Sequence, residues 1–234
     1  MREWWHWAQS NQAEPSSFGI VGLGRFGSAV CKELMQSGAE VLAVDRSSKA
    51  IEELRQLEPS IEARIVDCTD EEALREAGIL DMETVVVAIS EPIEASITAT
   101  LIAKDSPGTK VRRVIARATS DLHEKMLKRV GADRVVFPSR MQGERLGVEL
   151  VRPNLMERLE LDERHSIEEI KVPGRFVGRS LRDLNLRKNY RVNVLAAGQA
   201  TELTVNPPAS HVLQDGHVLV VMGLTDDLQE LPKT

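Results

Sequence analysis

The sequence predicts an α/β protein in which a Rossmann-like, doubly wound parallel sheet is followed by a small α+β domain. Three observations predict this. Short apolar runs alternate with helical patterns between residues 17 and 138, and a glycine-rich turn joins the first run to the first helix. Strand and turn signals replace this alternation in residues 160–234. Alternating strands and crossover helices are typical of a parallel sheet covered on both faces.

Six apolar runs are predicted to be the strands of the parallel sheet. They are aliphatic almost throughout, as expected for strands that are buried on both faces. They cover residues 18–22, 40–45, 63–67, 84–89, 112–118 and 134–138.

The helices between these strands have recognisable ends. Gly38 and Gly131 follow helical patterns at positions where glycine suits the C-terminal cap, and Thr69 and Glu72 have the spacing of a capping box at the start of the third helix. An apolar stripe along the first helix predicts the face that packs on the sheet. It is formed by Phe26, Ala29, Val30, Leu34 and Met35.

The chain is predicted to contain two domains. Residues 17–138 form the Rossmann-like domain, residues 139–157 a connecting helix with Pro153 near its end, and residues 158–234 the second domain. Asp215-Gly216, between apolar runs of the second domain, predicts a β-hairpin.

Residues 1–16 form a polar tail that contains every tryptophan of the chain: Trp4, Trp5 and Trp7. Two interpretations stay open, a frayed end and an anchor for a partner or a membrane surface, because tryptophan supplies a large apolar area. The tail lacks the long apolar stretch of a signal peptide, and no apolar run in the chain approaches the roughly 20 residues that cross a bilayer.

Composition narrows the function classes. With 30 basic and 36 acidic side chains the net charge is −6, which weighs against nonspecific nucleic-acid binding. The two cysteines, Cys31 and Cys68, are too few for a disulfide framework and are expected to be buried, reduced thiols.

The turn after the first strand has the composition of a phosphate-binding loop. Gly22, Gly24 and Gly27 form G-x-G-x-x-G, in which the first glycine turns the chain, the second lets a pyrophosphate approach the backbone and the third packs the helix on the sheet. Asp45 ends the second strand, where a carboxylate accepts hydrogen bonds from ribose hydroxyls and disfavours a 2′-phosphate, although the adjacent Arg46 leaves that preference open.

The ends of the next strands are expected to complete a nucleotide site, because they flank the adenine and phosphate crevice of this fold. The predicted nucleotide-binding residues of the turn and the strand ends are Gly22, Leu23, Gly24, Phe26, Gly27, Asp45, Arg46, Asp67, Cys68, Ala88, Ile89 and Ser90.

No catalytic or metal-binding residues are predicted. A hydride-transfer enzyme needs an acid or base beside the nicotinamide, and the five histidines show no paired spacing. The second domain, of about 75 residues, is also small for a substrate domain. These features favour a nucleotide sensor over an enzyme.

The chain resembles the RCK family, the regulators of potassium conductance, and in it the KtrA- and TrkA-type cytosolic regulatory subunits of potassium uptake systems. "GLGRFG" followed by "VCKEL", "VLAVD", "VVVAI" and "GADRVVFP" carry the resemblance, which covers residues 17–234.

The resemblance implies a regulatory subunit with ATP and ADP as ligands. It implies a homodimer that assembles into an octameric gating ring beneath a KtrB/TrkH-type membrane potassium channel or transporter, at the cytoplasmic face of the plasma membrane. Arg25 matches an arginine that reaches the γ-phosphate bound by the neighbouring subunit, and Arg117 matches a basic residue that meets phosphate.

Two further sites of the family are less complete here. Relatives can carry a glutamate that helps to hold a divalent cation after the proline of the sixth strand, but this chain has Ser139 after Pro138, with Arg140 as the nearest charge. In some relatives the C-terminal domain binds cyclic di-AMP, and the matching positions are Arg187 and Asn193; the other interpretation is dimerisation and ring mechanics alone.

Two other functions stay open on the sequence. The first is an NAD- or NADH-sensing regulator of the TrkA type, which shares the fold and differs in ligand preference. The second is a small NAD-dependent oxidoreductase, which the missing acid and base disfavour.

Overall fold

The computed structural model describes residues 17–233, so the tail with Trp4, Trp5 and Trp7 lies outside the described residues. The chain divides into two compact units whose boundary falls between Met141 and Gln142.

The first unit is built on a parallel sheet, as predicted. Within the described chain this sheet has six strands in the order β3-β2-β1-β4-β5-β6, and every neighbouring pair is parallel. This order reverses direction between β1 and β4, the switch point at which ligands bind in doubly wound folds. The strands are β1 Ser17–Val21, β2 Glu40–Asp45, β3 Glu62–Ile65, β4 Thr84–Val87, β5 Arg113–Arg117 and β6 Arg134–Val136.

Crossover helices connect the strands. Ser47 caps α2 and Ser120 caps α5 through their hydroxyls, but the third helix begins at a different residue from the one expected. Asp70 caps it by accepting the Ala73 N–H, whereas Thr69 bonds to Asp67, so the capping-box prediction was wrong. The helices are α1 Arg25–Gln36, α2 Ser48–Leu57, α3 Glu71–Glu76, α4 Ile93–Asp105, α5 Asp121–Arg129 and α6 Pro138–Val151.

Alternating side chains of each strand enter two aliphatic cores, one on each face of the sheet. Val85 and Val87 of β4 pack in one core with Leu127 of α5, whereas Val86 packs in the other with Leu54 of α2. The near-continuous apolar sequence of the strands follows from this two-sided burial.

Helix α6 differs from the expected connecting helix of residues 139–157. It begins at Pro138, whose missing N–H costs nothing in a first turn, and ends at Val151, before Pro153. None of its described side chains is buried, and the chain enters the strand Leu155–Glu160 four residues after the helix ends.

The second unit is the predicted small α+β domain. Its described residues form one antiparallel sheet in the order β10-β9-β11-β8-β7. The strands are β7 Leu155–Glu160, β8 His165–Lys171, β9 Asn193–Gln199, β10 Glu202–Val205 and β11 Val218–Leu224. The helices are α7 Leu181–Leu184, α8 Leu186–Tyr190 and α9 Thr225–Gln229.

The hairpins of the described part of this unit lie elsewhere than predicted, and one of them joins β7 to β8 through residues 161–164. β9 and β10 pair across a two-residue connection, Ala200 and Thr201. Gly216 does turn the chain, with φ of +75°, but β11 after it pairs with β8 and β9. Asp215-Gly216 is therefore a turn and not the centre of a hairpin.

A buried ion pair ties the beginning of this unit to its centre. Both Nη atoms of Arg152 donate to the fully buried Glu168 of β8 at 2.7 Å, and one also donates to the Leu228 carbonyl of α9. Replacing one partner of such a pair leaves a buried charge uncompensated and costs roughly 3–5 kcal/mol.

None of the helices within residues 17–233 combines the length and the apolar character that a membrane crossing requires.

Candidate functional site

In the turn between β1 and α1, the conformation and close packing of the backbone require glycine at two of the three glycine positions. Gly22 has φ of +96°, and a Cβ at Gly27 would lie 1.9 Å from the Gly22 carbonyl oxygen, so both positions require glycine. Gly24 is different, because a Cβ there would meet no atom of the described residues within 4 Å. The second glycine therefore leaves space on the outer side of the turn, where an anion can approach free N–H groups at a helix start.

Asp45 joins this turn to the end of β2. Its Oδ2 accepts the Leu23 N–H at 2.6 Å, and its Oδ1 accepts the Ser47 N–H at 2.8 Å. A carboxylate can accept about four hydrogen bonds, so each oxygen keeps capacity for a ligand hydroxyl. Asp45 is thus held in place by the residues that surround it and still able to bind a ribose.

A cavity of about 490 Å³ opens at the carboxyl edge of the sheet, at the switch point between β1 and β4. Its volume suits a nucleotide-sized ligand. It is lined by nine of the predicted site residues: Gly22, Gly24, Asp45, Arg46, Asp67, Cys68, Ala88, Ile89 and Ser90. It is also lined by seven residues that were not predicted: Val44, Thr69, Glu91, Pro92, Glu94, Ala95 and Thr98.

Five of the seven unpredicted residues lie at the start of α4: Glu94, Ala95 and Thr98 are in the helix, and Glu91 and Pro92 directly precede it. The sequence signal that could have found them is the run "SEPIEAS", where a proline precedes a helical pattern directly after a strand.

Five predicted residues do not line the cavity. Four belong to the turn, Leu23, Arg25, Phe26 and Gly27, and the fifth is Arg117 of β5. Leu23 and Gly27 are buried beneath the turn. They shape the site without facing its interior.

Two cations stand beside the turn without a counter-ion. Arg25 is exposed at the start of α1, and within residues 17–233 no carboxylate forms an ion pair with Arg25 or Arg117. The guanidinium carbon of Arg117 lies 5.6 Å from the Phe26 ring centroid, and its buried Nε has no hydrogen-bond partner. Unpaired arginines at a phosphate loop are suited to bind an anion.

Arg140 has a different environment. It stacks on the Phe137 ring, with 4.2 Å between guanidinium carbon and ring centroid, and forms ion pairs with Asp121 and Glu124 of α5. Its charge is therefore already satisfied by carboxylates.

Asp67 adds a second carboxylate to the cavity wall. Hydrogen bonds from the backbone N–H and hydroxyl of Thr69 lower its pKa, with a smaller contribution from the Arg46 charge. Together with Asp45 it makes the β2–β3 end of the cavity acidic, which suits ribose hydroxyls better than phosphate.

The two thiols have different environments. Cys31 is fully buried in α1, and burial raises its pKa to about 12. Cys68 is only partly buried and lines the cavity, so the prediction of a buried thiol was wrong for this residue. Burial and the neighbouring Asp67 charge raise the pKa of Cys68, so its thiolate fraction at neutral pH is small.

The described residues contain no group of three His, Cys, Asp or Glu side chains arranged to hold a metal ion. The histidines from His123 onward lie away from the cavity lining. Arg187 of α8 and Asn193 at the start of β9 are both exposed in the second unit.

Family models match most of the described chain. The TrkA-N domain matches residues 18–138, and the TrkA-C domain matches residues 167–233.

Curated relatives match over nearly their whole length. Ktr system potassium uptake protein C of Bacillus subtilis is 37% identical over 216 residues, which cover 92% of this chain and 96% of that protein. Ktr system potassium uptake protein A of Vibrio alginolyticus is 35% identical over 211 residues, covering 90% of this chain and 94% of that protein.

Solved structures share the fold. The GsuK channel superposes with a TM-score of 0.66 at 19% identity, and the GsuK channel bound to NAD with 0.63 at 18%. The alignments cover 92% and 91% of this chain and 38% of each channel chain.

Proposed function

Because the chain belongs to the TrkA-N/TrkA-C family, which includes the Ktr potassium uptake proteins, we propose that it is a nucleotide-sensing regulatory subunit of a Ktr/Trk-type potassium transporter or channel. ATP and ADP are its regulatory ligands. The observation that carries the proposal is the cavity at the glycine turn, which combines a backbone anion site with a carboxylate for ribose.

The ligand is oriented by the two kinds of charge around the cavity. The acidic end formed by Asp45 and Asp67 takes the ribose and adenine, and the glycine turn takes the phosphates. Arg25 and Arg117 supply the positive charge beyond the turn, where the described residues provide no carboxylate partner for either. Charge-assisted hydrogen bonds of this kind are about twice as strong as neutral ones.

The nucleotide acts as a signal and not as a substrate. The relatives are named as potassium uptake proteins and not as enzymes, and the chain is a regulatory protein. A ligand that binds two states of the protein with different affinity shifts their populations without any turnover. ATP and ADP differ by the γ-phosphate, so the group that discriminates between them must contact that phosphate, and Arg25 is that group.

The working form in this proposal is a homodimer that assembles into an octameric ring on a KtrB/TrkH-type membrane subunit, at the cytoplasmic face of the plasma membrane. Arg25 is exposed and has no ion-pair partner within residues 17–233, which agrees with a role across a subunit boundary. The second unit contributes dimerisation; in it Arg187 binds a phosphate of cyclic di-AMP and Asn193 binds its base or ribose. No divalent site is assigned, because Ser139 offers a hydroxyl where a hard cation prefers carboxylate.

Calorimetric titration of the purified chain with ATP, ADP, NAD⁺ and NADH tests the ligand assignment. We expect tight binding of ATP and ADP. Asp45→Ala should weaken both by roughly tenfold or more, since hydrogen bonds to a charged acceptor contribute about 1.5–3 kcal/mol. Asp105→Ala, which removes an exposed carboxylate at the far end of α4, is the matched control and should bind as the wild type.

Two outcomes would contradict the assignment. Tight NADH binding without ATP binding would make the protein a redox-sensing regulator of the TrkA type. Unchanged nucleotide affinity in Asp45→Ala would remove the ribose role from Asp45.

A further inference from the structure

One segment of the second unit has a charge opposite to that of the whole protein. Residues 171–191 contain seven basic side chains and one acidic side chain, Asp183, so the segment carries +6 while the chain carries −6. The remainder of the chain therefore carries −12. We call this stretch the basic segment; its basic residues are Lys171, Arg175, Arg179, Arg182, Arg187, Lys188 and Arg191.

The basic segment is amphipathic and rigidly anchored. Phe176, Leu184 and Leu186 are buried in the core of the unit, whereas all seven basic side chains are exposed. Three backbone N–H groups, those of Gly178, Leu181 and Arg182, donate to carbonyls of residues 209–213. The basic side chains thus project from a segment whose backbone is held in place by the fold.

Most of the basic side chains of this segment have no ion-pair partner within the described chain. Across residues 17–233, none of Arg175, Arg182, Arg187 and Lys188 forms an ion pair with a carboxylate. Arg191 approaches Asp227 only at 3.7 Å, and Arg179 donates to the Asp183 carbonyl. Repulsion between like charges lowers the stability of the free protein. Binding of an oppositely charged surface removes that repulsion.

We propose that the basic segment docks on the anionic phospholipid surface of a membrane. The choice of this surface rests on the proposed function, because a regulatory subunit of a membrane transporter works within reach of lipid headgroups. Clusters of four to eight Lys and Arg side chains are the usual size of segments that bind anionic lipids, and each side chain near the surface adds roughly fivefold to the binding constant.

Apart from Arg187, which the proposed function assigns to cyclic di-AMP, the basic side chains suit an extended surface better than a small anion. The seven side chains are all exposed and are spread over 21 residues, and they do not enclose a cradle of buried donors. Single-stranded nucleic acid fits less well, since it needs exposed aromatic rings for stacking, and the one aromatic pair here, Phe176 and Tyr190, packs edge to face on the core side.

Co-sedimentation of the full chain with vesicles tests the proposal. Vesicles of phosphatidylglycerol mixed with phosphatidylcholine should bind the wild type, pure phosphatidylcholine should not, and added salt should weaken the binding. The triple variant Arg175→Gln, Arg182→Gln, Lys188→Gln should lose on the order of 100-fold in partitioning. Arg187 is left intact because it belongs to the cyclic di-AMP assignment.

The matched control removes three exposed basic side chains from the first unit: Lys32→Gln, Lys125→Gln and Arg129→Gln. Both triple variants have the same net charge, and the control should bind vesicles within about threefold of the wild type, as expected for surface charges outside the basic segment. An equal loss of vesicle binding in both variants would show that binding depends only on net charge, and it would overturn the proposal. Binding to phosphatidylcholine alone, or no binding to anionic vesicles, would also overturn it.

Displacement by free inorganic phosphate, at an ionic strength where chloride has no such effect, would identify a free-anion site and contradict a lipid surface. Calorimetric titration with ADP on the same samples separates this proposal from the proposed function. We expect both triple variants to bind ADP as the wild type does. Loss of ADP binding in every sample would contradict the nucleotide assignment and leave the vesicle result intact.

Discussion

At the scale of single residues, the candidate site is marked by two arginines that have no ion-pair partner in the described chain. Arg25 and Arg117 stand beside the glycine turn with no ion-pair partner in the described part of the chain, whereas Arg140, near in sequence to β6, is paired with carboxylates of α5. An arginine cannot lose its charge at physiological pH, so an unpaired one close to a phosphate loop is available to an anionic ligand at all times.

Arg25→Ala should therefore separate the two nucleotides. We expect ADP affinity to stay within about twofold and ATP affinity to fall by roughly 10- to 100-fold, because a charge-assisted hydrogen bond contributes about 1.5–3 kcal/mol. Calorimetry with both nucleotides measures the difference. Lys32→Ala, which removes an exposed positive charge from the same helix, is the control and should change neither affinity. Equal losses for ATP and ADP would refute the γ-phosphate role.

Cys68 reports occupancy of the cavity. It lines the cavity and is partly exposed, whereas Cys31 is fully buried with a pKa of about 12. Maleimide should therefore label Cys68 in the folded protein, slowly because its pKa is raised, and leave Cys31 unmodified. Saturating ADP should slow labelling by roughly tenfold or more by covering the thiol, since reaction requires an accessible thiolate.

Mass spectrometry of labelled peptides distinguishes the two cysteines, and urea-unfolded protein, in which both should react, provides the control. A labelling rate that ADP does not change would mean that the nucleotide binds elsewhere.

The cavity-lining residues that could be predicted from sequence are those at the carboxyl ends of the strands. Asp45, Asp67 and Ser90 follow apolar runs, and carboxyl ends of parallel strands meet at one edge of the sheet. Glu91 and Glu94 were missed because the run "SEPIEAS" marks where α4 begins but not that this helix start lies against the cavity, which depends on how α4 packs on the sheet. The partial exposure of Cys68 was missed for the same reason, since it depends on the shape of the neighbouring loops.

At the scale of elements, the glycines of the turn differ in function: Gly27 is needed for packing, whereas Gly24 leaves space for a ligand. The backbone carbonyl of Gly22 fills the space beside Gly27, whereas the space beside Gly24 is open in the described chain. Gly24 also has φ of −68° and ψ of −177°, which an alanine adopts without strain.

Gly24→Ala should leave stability unchanged and weaken nucleotide binding by about tenfold, because its Cβ stands where a pyrophosphate must approach. Gly27→Ala should instead destabilise the free protein by at least about 1–3 kcal/mol, the usual cost of overpacking. Thermal unfolding and ADP titration of both variants measure the contrast. Wild-type affinity in Gly24→Ala, or wild-type stability in Gly27→Ala, would contradict the division of tasks.

Element types were easier to predict than their ends. The six strands and the order of strands and helices followed from two-sided apolar runs, which have few alternatives in a doubly wound sheet. The cap of α3 fell one residue later than expected, because Asp70 competes with Thr69 for the same role. β7 was missed because it is largely exposed at a sheet edge and its two leucines, Leu155 and Leu159, are four residues apart, a spacing typical of a helix.

At the scale of the whole molecule, the chain combines a unit that holds the candidate nucleotide site with a second unit that carries an internal ion pair and the basic segment. A ligand changes function only if two states of the protein bind it with different affinity. In the proposed function, Arg25 is the side chain through which the γ-phosphate favours one of these states, and the Ktr relatives provide the context of potassium uptake.

Small-angle X-ray scattering of purified protein, saturated either with ADP or with ATP, tests whether the nucleotide changes the assembly. We expect a particle many times the mass of one chain, whose scattering profile differs between the two ligands. Arg25→Ala should abolish this difference while both nucleotides remain bound. A monomer in the presence of either nucleotide, or identical profiles of the wild-type protein with each, would contradict nucleotide-dependent regulation through Arg25.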